Sequence, residues 1–396
     1  MEAVAVRTGY VPEPVQAAGA PAWLAALRRR AFLAFEKAGF PTPRDEAWRY
    51  TGIQPITGTA WVPSRAALSP VALPAGARLR PLSEVPEREV EPLLAGIAPL
   101  ERPFAALNAA ALEDAYVLEI AAGAILTEPI TLEWTAPATP LPSVTHPRVL
   151  VRAGERSQAT VVETYSGEGR YFRNAVTEIA LADGAVLEHY ALQRESLDAC
   201  HVHTVAARQG RASHFTSHNV ALGSALARVD LDVVLDAEGA ECTLLGLFAG
   251  AGTQHLDNHT TIDHAKPHCT SRELYKGVMD GASRGVFFGK IIVRPDAQKS
   301  DAIQTNKNLL LSREALVNST PALEIFADDV KCKHGSTTGQ LDALALFYLR
   351  SRGIGEAEAR TLLTQAFAAD VAERLRVPAV RDAVAQELAR RLGGRP

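Results

Sequence analysis

The sequence predicts a mainly β protein whose central strands stack as a solenoid between helical terminal regions. Three observations lead to this prediction. Short β-rich runs separated by Gly turns fill the chain from Tyr116 to about Thr338. The Gly turns recur at intervals of 26 to 31 residues, which is the repeat expected of stacked coils. Apolar residues with helical spacing are concentrated near the two ends of the chain.

Composition excludes several classes of protein. The chain has 396 residues, 47% of them apolar and 22% charged, with a net charge of −4, so it is neither disordered nor a broad cationic surface for nucleic acid. The longest apolar stretch, around Cys242–Gly252, is far shorter than the roughly 20 residues that a membrane span needs. Four cysteines form no CxxC pair, and the first residues contain no apolar signal segment. We therefore expect a cytoplasmic protein.

Residues 1–110 are expected to form a helical and irregular N-terminal region. Pro21–Phe40 reads as a helix that starts at a proline and ends at Gly39. One face of this helix is apolar, through Leu24, Leu27, Ala31 and Phe35. Eight of the 24 prolines fall between Val62 and Pro103, and each proline restricts its own backbone and that of the preceding residue. A domain boundary is therefore predicted near residue 110.

Residues 111–338 are expected to form the β core. Arg228–Leu235 (RVDLDVVL) alternates with period two, as a strand with one buried face does. The repeated turns begin at Gly123, Gly154, Gly184, Gly210 and Gly239. A period near 30 residues favours a solenoid. A β-sandwich with evenly spaced hairpin turns is the alternative that the period leaves open.

Residues 339–396 are expected to form a small helical domain. A helix is predicted over Leu341–Arg352, with Gly353 as its C-cap. The next helix repeats apolar residues every four positions, at Leu363, Phe367, Val371 and Leu375. Pro378 can open a last helix. A bundle this short buries little surface by itself, so it must pack on the β core or on a partner.

Two enzyme motifs are absent or incomplete. The chain has no G-x-x-x-x-G-K-[ST] sequence, so ATP hydrolysis by a P-loop is not expected. Gly281–Gly285 (GASRG) matches the G-x-S-x-G elbow of hydrolases, which requires a helix directly after the serine. The residues that follow, Val286–Val293 (VFFGKIIV), read as a strand. Ser283 is therefore interpreted as a turn residue.

Most histidines lie between His189 and His268, where a metal site is the competing interpretation. His201 and His203 would project from one face of a strand, as the H-x-H pair of a cupin-type metalloenzyme does. Such a site also needs a carboxylate soon after the pair, and Thr204–Gly210 contains none. Single histidines on strands are more often hydrogen-bonded than metal-bound. A metalloenzyme built on His201 and His203 stays open as the alternative function.

The segment Ala327–Gln340 (ADDVKCKHGSTTGQ) holds the densest set of reactive side chains. Cys332 and His334 are separated by one residue, so on a strand the thiol and the imidazole share a face. Thiolate and imidazole together suit iron, zinc or copper. Lys331 and Lys333 flank the cysteine and should favour its thiolate. By spacing alone, a buried cysteine beside a polar histidine is the commoner arrangement.

A family resemblance becomes specific at this segment. Lys299–Ile354 closely resembles the SufB/SufD family of iron–sulfur cluster assembly proteins. The likeness extends upstream through His255–Val293, including Glu273–Gly277 (ELYKG) and Ser283–Phe287 (SRGVF), and reaches Arg44–Thr51 (RDEAWRYT). The sequence CKHGSTTGQLD has the form typical of the SufD branch, whereas the SufB branch has Glu-His-Glu in place of Cys-Lys-His.

The resemblance implies a fold and partners. It implies a right-handed parallel β-helix between helical N-terminal and C-terminal regions. It further implies that the chain pairs with a SufB-like subunit through the β-helix and binds a SufC-like ATPase through the C-terminal helical domain. Nucleotide chemistry would then lie in the partner, and this chain would be a non-catalytic scaffold subunit. The isolated chain is left open as a monomer or a homodimer.

The resemblance also implies site residues and cargo. His334 matches the histidine that is thought to assist the nascent cluster at the interface of the two related subunits. Cys332 occupies the neighbouring position of the same motif, and its role is less defined. No tightly bound cofactor is expected, only a transient iron–sulfur cluster shared with the partner subunit.

Overall fold

Seven α-helices and twenty strands make up the part of the chain that the computed structural model describes, residues 9–10, 12, 20–90, 93–113 and 115–392. The helices are α1 (Ala22–Ala38), α2 (Gln54–Thr57), α3 (Glu87–Val90), α4 (Pro103–Ala110), α5 (Ala343–Ser351), α6 (Glu356–Ala372) and α7 (Pro378–Leu392). The strands are β1 (Val62–Pro63), β2 (Ala67–Leu68), β3 (Ala77–Pro81), β4 (Ala115–Ile120), β5 (Ile130–Ala136), β6 (Ser143–Thr145), β7 (Arg148–Ala153), β8 (Gln158–Gly167), β9 (Tyr171–Leu181), β10 (Val186–Gln193), β11 (Cys200–Gln209), β12 (His214–Ala221), β13 (Leu226–Leu235), β14 (Glu241–Gly250), β15 (His255–His264), β16 (Thr270–Met279), β17 (Arg284–Val293), β18 (Asp301–Leu310), β19 (Leu316–Ile325) and β20 (Lys331–Gly339).

The central strands form two parallel sheets, because each coil of the chain contributes one strand to each sheet. Sheet A takes β4, β7 and then the odd-numbered strands from β9 to β19, and sheet B takes β5 and the even-numbered strands from β8 to β20. The stack has about eight turns. Among the described strands, antiparallel pairing occurs only where β3 joins β4 and β2 joins β5. The predicted parallel solenoid is confirmed, and the sandwich alternative is excluded.

Strand alternation places one face of every coil inside the solenoid. In β18, Ala302, Gln304, Asn306 and Asn308 are buried, while Ile303, Thr305 and Lys307 are not. Successive strands pair in register, so inward side chains of neighbouring coils stack in rows. One such row consists of Leu187, Phe215, Cys242, Ser271, Ala302 and Cys332. Each inward residue is therefore in contact mainly with residues about one coil earlier and later.

The glycine turns that indicated the period lie at the corners of the coils. Gly123, Gly184 and Gly239 have φ values of 71°, 66° and 72°, a region in which residues with a Cβ are strained. Gly154 is required for a different reason. A Cβ at Gly154 would lie 2.6 Å from the backbone nitrogen of Ala122 in the preceding coil.

The N-terminal region covers the outer face of sheet A. Phe104 of α4 packs against Phe172 of β9, with ring centroids 6.1 Å apart. Further along the sheet, Trp48 lies over the guanidinium of Arg228 at 3.7 Å. The segment Arg44–Thr51, which carried part of the family resemblance, is thus an anchor of the N-terminal region on the solenoid.

Arg228 is the centre of this anchor. Its guanidinium, 1% exposed, donates to both carboxylate oxygens of Asp230 at 2.7 and 3.0 Å and to Asp257 at 2.7 Å. It also donates to the backbone oxygen of Ala47 at 2.7 Å. Thr51 donates its hydroxyl to the same Asp257 carboxylate at 2.6 Å. One buried cation therefore ties two coils to the N-terminal segment.

The C-terminal helices α6 and α7 pack on the outer face of sheet B. Their apolar residues, Ala368, Val371, Val380, Val384 and Leu388, form one cluster with Val162, Tyr190, Leu192, Val220, Leu245, Leu247, Ala249 and Val278 of the sheet. Lys276 of β16 donates to Asp370 at 2.5 Å and to the backbone oxygen of Phe367 at 2.6 Å. The expectation that this bundle leans on the β core agrees with these contacts.

The two ends of the solenoid differ. At the N-terminal end, β2 and β3 pair with the edges of the first coil. At the C-terminal end, β19 pairs only with β17 and β20 only with β18, and no other described strand joins them. Backbone groups along the outer edge of the last coil are therefore open to a partner strand.

Replacing Arg228 tests the anchor. In Arg228→Met, the buried carboxylates of Asp230 and Asp257 lose their main cation, so we expect the free energy of unfolding to fall by about 3–5 kcal/mol. We also expect the N-terminal region to become sensitive to chymotrypsin. Urea unfolding and limited proteolysis measure the two effects.

The matched control is Arg272→Met. Arg272 pairs with Asp301 at 3.0 Å on the surface, where its side chain is 42% exposed, and such pairs contribute about 0–1 kcal/mol. Equal losses in the two variants would contradict the anchor.

Candidate functional site

Cys332 and His334 lie on β20, the last strand of the solenoid. Cys332 pairs in register with Ala302 and His334 with Gln304. Both partners are buried and inward-facing, so Cys332 and His334 face the inner side of the last coil, as predicted for residues two apart on a strand. Cys332 is half-buried and packs against the apolar interior, whereas His334 is exposed. The pair therefore lies at the open mouth of the solenoid.

The mouth is lined by neutral polar side chains. Asn308 donates to the hydroxyl of Thr338 at 3.3 Å, and Ser336 donates to Asn306 at 3.4 Å. Ser319 of β19 reaches across the lumen to Ser336 at 2.7 Å. Further inside, the lumen is filled by Val229, Leu231 and Val233 and similar residues. These apolar residues share the lumen with buried polar side chains, among them Thr177, His189 and His203.

The electrostatic setting of Cys332 differs from the prediction. We expected Lys331 and Lys333 to favour the thiolate, but alternation turns both lysines to the outer face of β20. Partial burial instead raises the pKa of the Cys332 thiol above its usual range, and the Asp301 carboxylate acts in the same direction. The prediction of an activated thiolate is therefore wrong for the isolated chain. At neutral pH Cys332 is a thiol.

Two buried polar residues lie beneath His334. Gln304, 1% exposed, donates its amide nitrogen to Glu273 Oε2 at 2.7 Å. Burial raises the pKa of Glu273 to about 7. Across the lumen, a Cβ at Gly289 would lie 2.4 Å from the same amide nitrogen, so glycine leaves the space that the Gln304 side chain fills. Neither Gln304 nor Gly289 belongs to a sequence motif that would mark it as part of the site.

The histidines proposed for a metalloenzyme are buried in the lumen. His203 contacts the Thr177 hydroxyl at 3.0 Å, and His201 Nδ1 lies 2.9 Å from Glu195. Burial lowers the pKa of His203 to about 3, so this imidazole is neutral. Within the described residues, no group of three or more His, Cys, Asp or Glu side chains is arranged to hold a metal ion. His203 is explained as a hydrogen-bonded core residue, and His201 as a buried histidine beside the Glu195 carboxylate.

Further histidines of the same stretch, together with Cys269 and Ser283, are also structural. His259 contacts Asp257 at 3.0 Å and stacks on Phe288. His264 contacts the Ser271 hydroxyl at 2.9 Å, and Cys269 is buried. Ser283 precedes β17 and donates its hydroxyl to the Gly250 carbonyl at 3.2 Å, which confirms its interpretation as a turn residue.

An exposed apolar patch marks the helix that follows the site. Leu344, Phe347 and Tyr348 of α5 are 77%, 71% and 57% exposed, and no residue of α5 is buried. The spacing of three and four residues places them on one face of the helix. We call these three residues the α5 patch. The same spacing is readable in the sequence, although the sequence alone does not show that the solenoid leaves this face uncovered.

In the described ranges, no helix is long and apolar enough to span a membrane.

Comparison with known proteins identifies the family. Residues 136–367 match the family model for the SUF system FeS cluster assembly, SufBD core domain. An iron–sulfur cluster assembly SufBD family protein of Synechocystis is 38% identical over 282 residues, which are 69% of this chain and 62% of that protein. A SufBD family protein of Mycobacterium leprae is 31% identical over 91% of this chain and 93% of its own length.

A parallel solenoid with flanking helices and a matching core sequence defines an iron–sulfur assembly protein of the SUF system. The chain belongs to the SufB/SufD family, and the resemblance seen in the sequence is confirmed. The iron–sulfur cluster assembly protein SufD of Escherichia coli is 36% identical over 252 residues, 63% of this chain and 59% of that protein. The family-model match, residues 136–367, includes Cys332 and His334.

Thiol reactivity tests the setting of Cys332. The pKa of Cys332 is raised, and the other three cysteines are buried. Iodoacetamide should therefore label Cys332 first in the native protein, and more slowly than it labels free cysteine at pH 7. The rate should keep rising as the pH passes about 9. Mass spectrometry after timed labelling gives the rate.

Lys333→Gln is the control for the lysines. It should leave the pH profile of Cys332 labelling unchanged. A labelling rate that reaches its plateau near pH 7, or that drops in Lys333→Gln, would show that the lysines activate the thiol.

Proposed function

We propose that the chain is the SufD-type scaffold subunit of a SUF assembly complex and has no catalytic activity of its own. It pairs with a SufB-like subunit through the last coil of the solenoid and binds a SufC-like ATPase through the C-terminal helices. A nascent iron–sulfur cluster forms as cargo at the subunit interface, with His334 as a ligand from this chain. The four free thiols suit a reducing cytoplasm, where we place this assembly.

The open last coil is the observation on which the proposal rests. β19 and β20 each offer one unpaired edge, and β20 carries His334 and Cys332 on its inner face. A strand from a related solenoid can add to such an edge through backbone hydrogen bonds. Gly335, next to His334, has no heavy atom within 4 Å of an added Cβ, which leaves room for an approaching chain. Subunit pairing and the candidate ligands thus fall at one place.

The donor set suits transient rather than permanent binding. A neutral imidazole can ligate iron, and it holds iron less tightly than a thiolate does. This chain supplies one exposed imidazole and one protonated thiol at the mouth of the solenoid, which is too few ligands for a cluster. The remaining ligands must come from the partner subunit, so separation of the subunits would release the cargo.

The α5 patch supports the position of the ATPase. An exposed aromatic pair beside a leucine is typical of the core of a protein interface. The packing of α6 and α7 on sheet B holds α5 on the surface without covering it. The absent P-loop fits a subunit whose partner hydrolyses the nucleotide.

Replacing His334 tests the cluster site. In His334→Ala, we expect the SufB-like and SufC-like partners to bind normally, because an exposed side chain contributes little to packing. Cluster formation by the complex should fall to below about a tenth of the native yield. Cys332→Ser should have a smaller effect. Anaerobic reconstitution with iron(II) and sulfide, followed by visible absorbance, measures the yield.

His214→Ala is the matched control, since His214 is an exposed histidine on the same sheet, 48% exposed at its side chain. Its yield should equal the native one. A native yield from His334→Ala in an intact complex would remove His334 from the site.

Replacing Phe347 tests the ATPase contact. Phe347→Glu places a charge in the middle of the α5 patch, so the affinity for the ATPase should fall by about 30-fold or more, the loss expected at an interface hot spot. Pairing with the SufB-like subunit should not change. Ile125→Glu, at an exposed corner of the solenoid (68% exposed), is the control. Equal ATPase binding by both variants, measured by calorimetry, would place the contact elsewhere.

A further inference from the structure

The row of inward side chains that ends at His334 differs from its neighbours between the last two strands of the sheet, β18 and β20. In register, Glu273 of β16 lies beside Gln304 of β18, and Gln304 lies beside His334 of β20. At the two neighbouring polar positions of the last coil, the side chains of β18 and β20 are hydrogen-bonded: Asn306 with Ser336, and Asn308 with Thr338. The ring of His334 makes no hydrogen bond with any described residue.

Gln304 keeps a free acceptor at this step. Its amide oxygen is buried and has no hydrogen-bond partner among the described residues. A buried carbonyl without a partner costs roughly 1–3 kcal/mol, so such an atom needs a reason. The side chain itself is 99% buried, given its 1% exposure, and cannot turn to solvent.

The orientation of the amide is fixed from below. Gln304 Nε2 donates to Glu273 Oε2 at 2.7 Å, and above the Glu273 pKa of about 7 the ionised carboxylate accepts hydrogen bonds but cannot donate them. The nitrogen therefore points to Glu273 and the oxygen points away from it. In the row, the residue on the other side of Gln304 is His334. Gly289 opposite supplies the space in which the amide holds this orientation.

We propose that Gln304 is the positioning residue for His334, and that its amide oxygen accepts the N–H of the imidazole while the other ring nitrogen binds iron. Neighbouring strands lie about 4.8 Å apart, so a His334 ring that turns toward the lumen when iron binds comes within reach of the Gln304 amide. A hydrogen bond of this kind fixes the tautomer and orientation of a ligating histidine. This inference rests on the proposed function, because it assigns the partner of the proposed ligand.

The experiment uses the complete complex, reconstituted with iron(II) and sulfide at pH 8, where Glu273 is ionised. Gln304→Leu keeps the bulk of the side chain and removes the acceptor, so we expect the cluster to be lost to a chelator about tenfold faster. Pulsed EPR of the reduced cluster should show a changed nitrogen hyperfine coupling. In the free chain, where the ring makes no hydrogen bond with a described residue, ¹⁵N shifts of the His334 ring should be the same in the variant and the native protein.

Asn308→Leu is the matched control. It changes an amide of the same strand, equally inward, that lies beside Thr338 rather than beside His334. In this variant, the rate of cluster loss, the nitrogen hyperfine coupling and the ¹⁵N shifts of the His334 ring should equal those of the native protein. Both variants replace a buried amide side chain of the same lumen by leucine. Thermal unfolding of both therefore separates a folding defect from a local effect.

Exchanging Glu273 and Gln304 should restore the retention of the cluster. The double variant Glu273→Gln with Gln304→Glu retains an amide–carboxylate pair and presents a carboxylate oxygen to His334, so cluster loss should return to the native rate or below it. Gln304→Leu behaving like Asn308→Leu in the rate of cluster loss and in the hyperfine coupling would overturn the inference, as would a double variant that behaves like Gln304→Leu. Full cluster yield in His334→Ala would instead overturn the proposed function. The two failures are therefore distinguishable.

Discussion

Parallel, in-register pairing between successive coils decides what each strand residue touches. Because every coil contributes one strand to each sheet, an inward side chain meets the equivalent side chain of the coil before and the coil after. The pairing satisfies the backbone groups of each strand from both sides, except where the stack ends. At the N-terminal end β2 and β3 take up the edges. At the C-terminal end the same constraint leaves one unpaired edge on each sheet, and that end carries Cys332 and His334.

An apolar cluster covers each outer face, and the two faces differ in the polar contacts beside that cluster. On sheet A, the buried Arg228 binds two aspartates and the backbone of Ala47. On sheet B, an apolar cluster joins α6 and α7 to the strands, with Lys276 as a single polar tie. A buried ion pair contributes orientation more than free energy, because desolvation offsets much of the attraction. Apolar burial contributes free energy without fixing direction. The solenoid thus holds the N-terminal region in a defined register, and it holds the C-terminal helices as a packed layer from which α5 protrudes.

The sequence was sufficient for the architecture because the coil repeat is a local property. Alternation in Arg228–Leu235 and the turns at Gly123, Gly184 and Gly239 each depend on a few neighbouring residues. No glycine marks the equivalent corners beyond Gly239, where His268 and later Lys299 have positive φ, as Arg156 and Ala212 do earlier in the solenoid. The pair Cys332 and His334 was found because strand geometry relates residues two apart. Gln304 and Glu273 were missed because their relation to His334 spans about one coil each and requires the register. The wrong prediction for the Cys332 thiol has the same origin: adjacency in sequence put Lys333 beside the sulfur, whereas the strand turns the two side chains to opposite faces.

The polar mouth has a cost that a permanent structure would avoid. Replacing Ser336, Thr338 and His334 by apolar residues would add stabilising apolar burial at the end of the stack. An exposed imidazole beside an unpaired edge also invites unwanted association. On the proposed function these features become necessary together. Cargo must reach the ligands before the subunits close, so the mouth must be open. It must leave when they part, so this chain alone must hold it weakly. An imidazole and a protonated thiol meet the second condition, and a mouth lined by the hydroxyl and amide groups of Ser336, Thr338 and Asn308 meets the first.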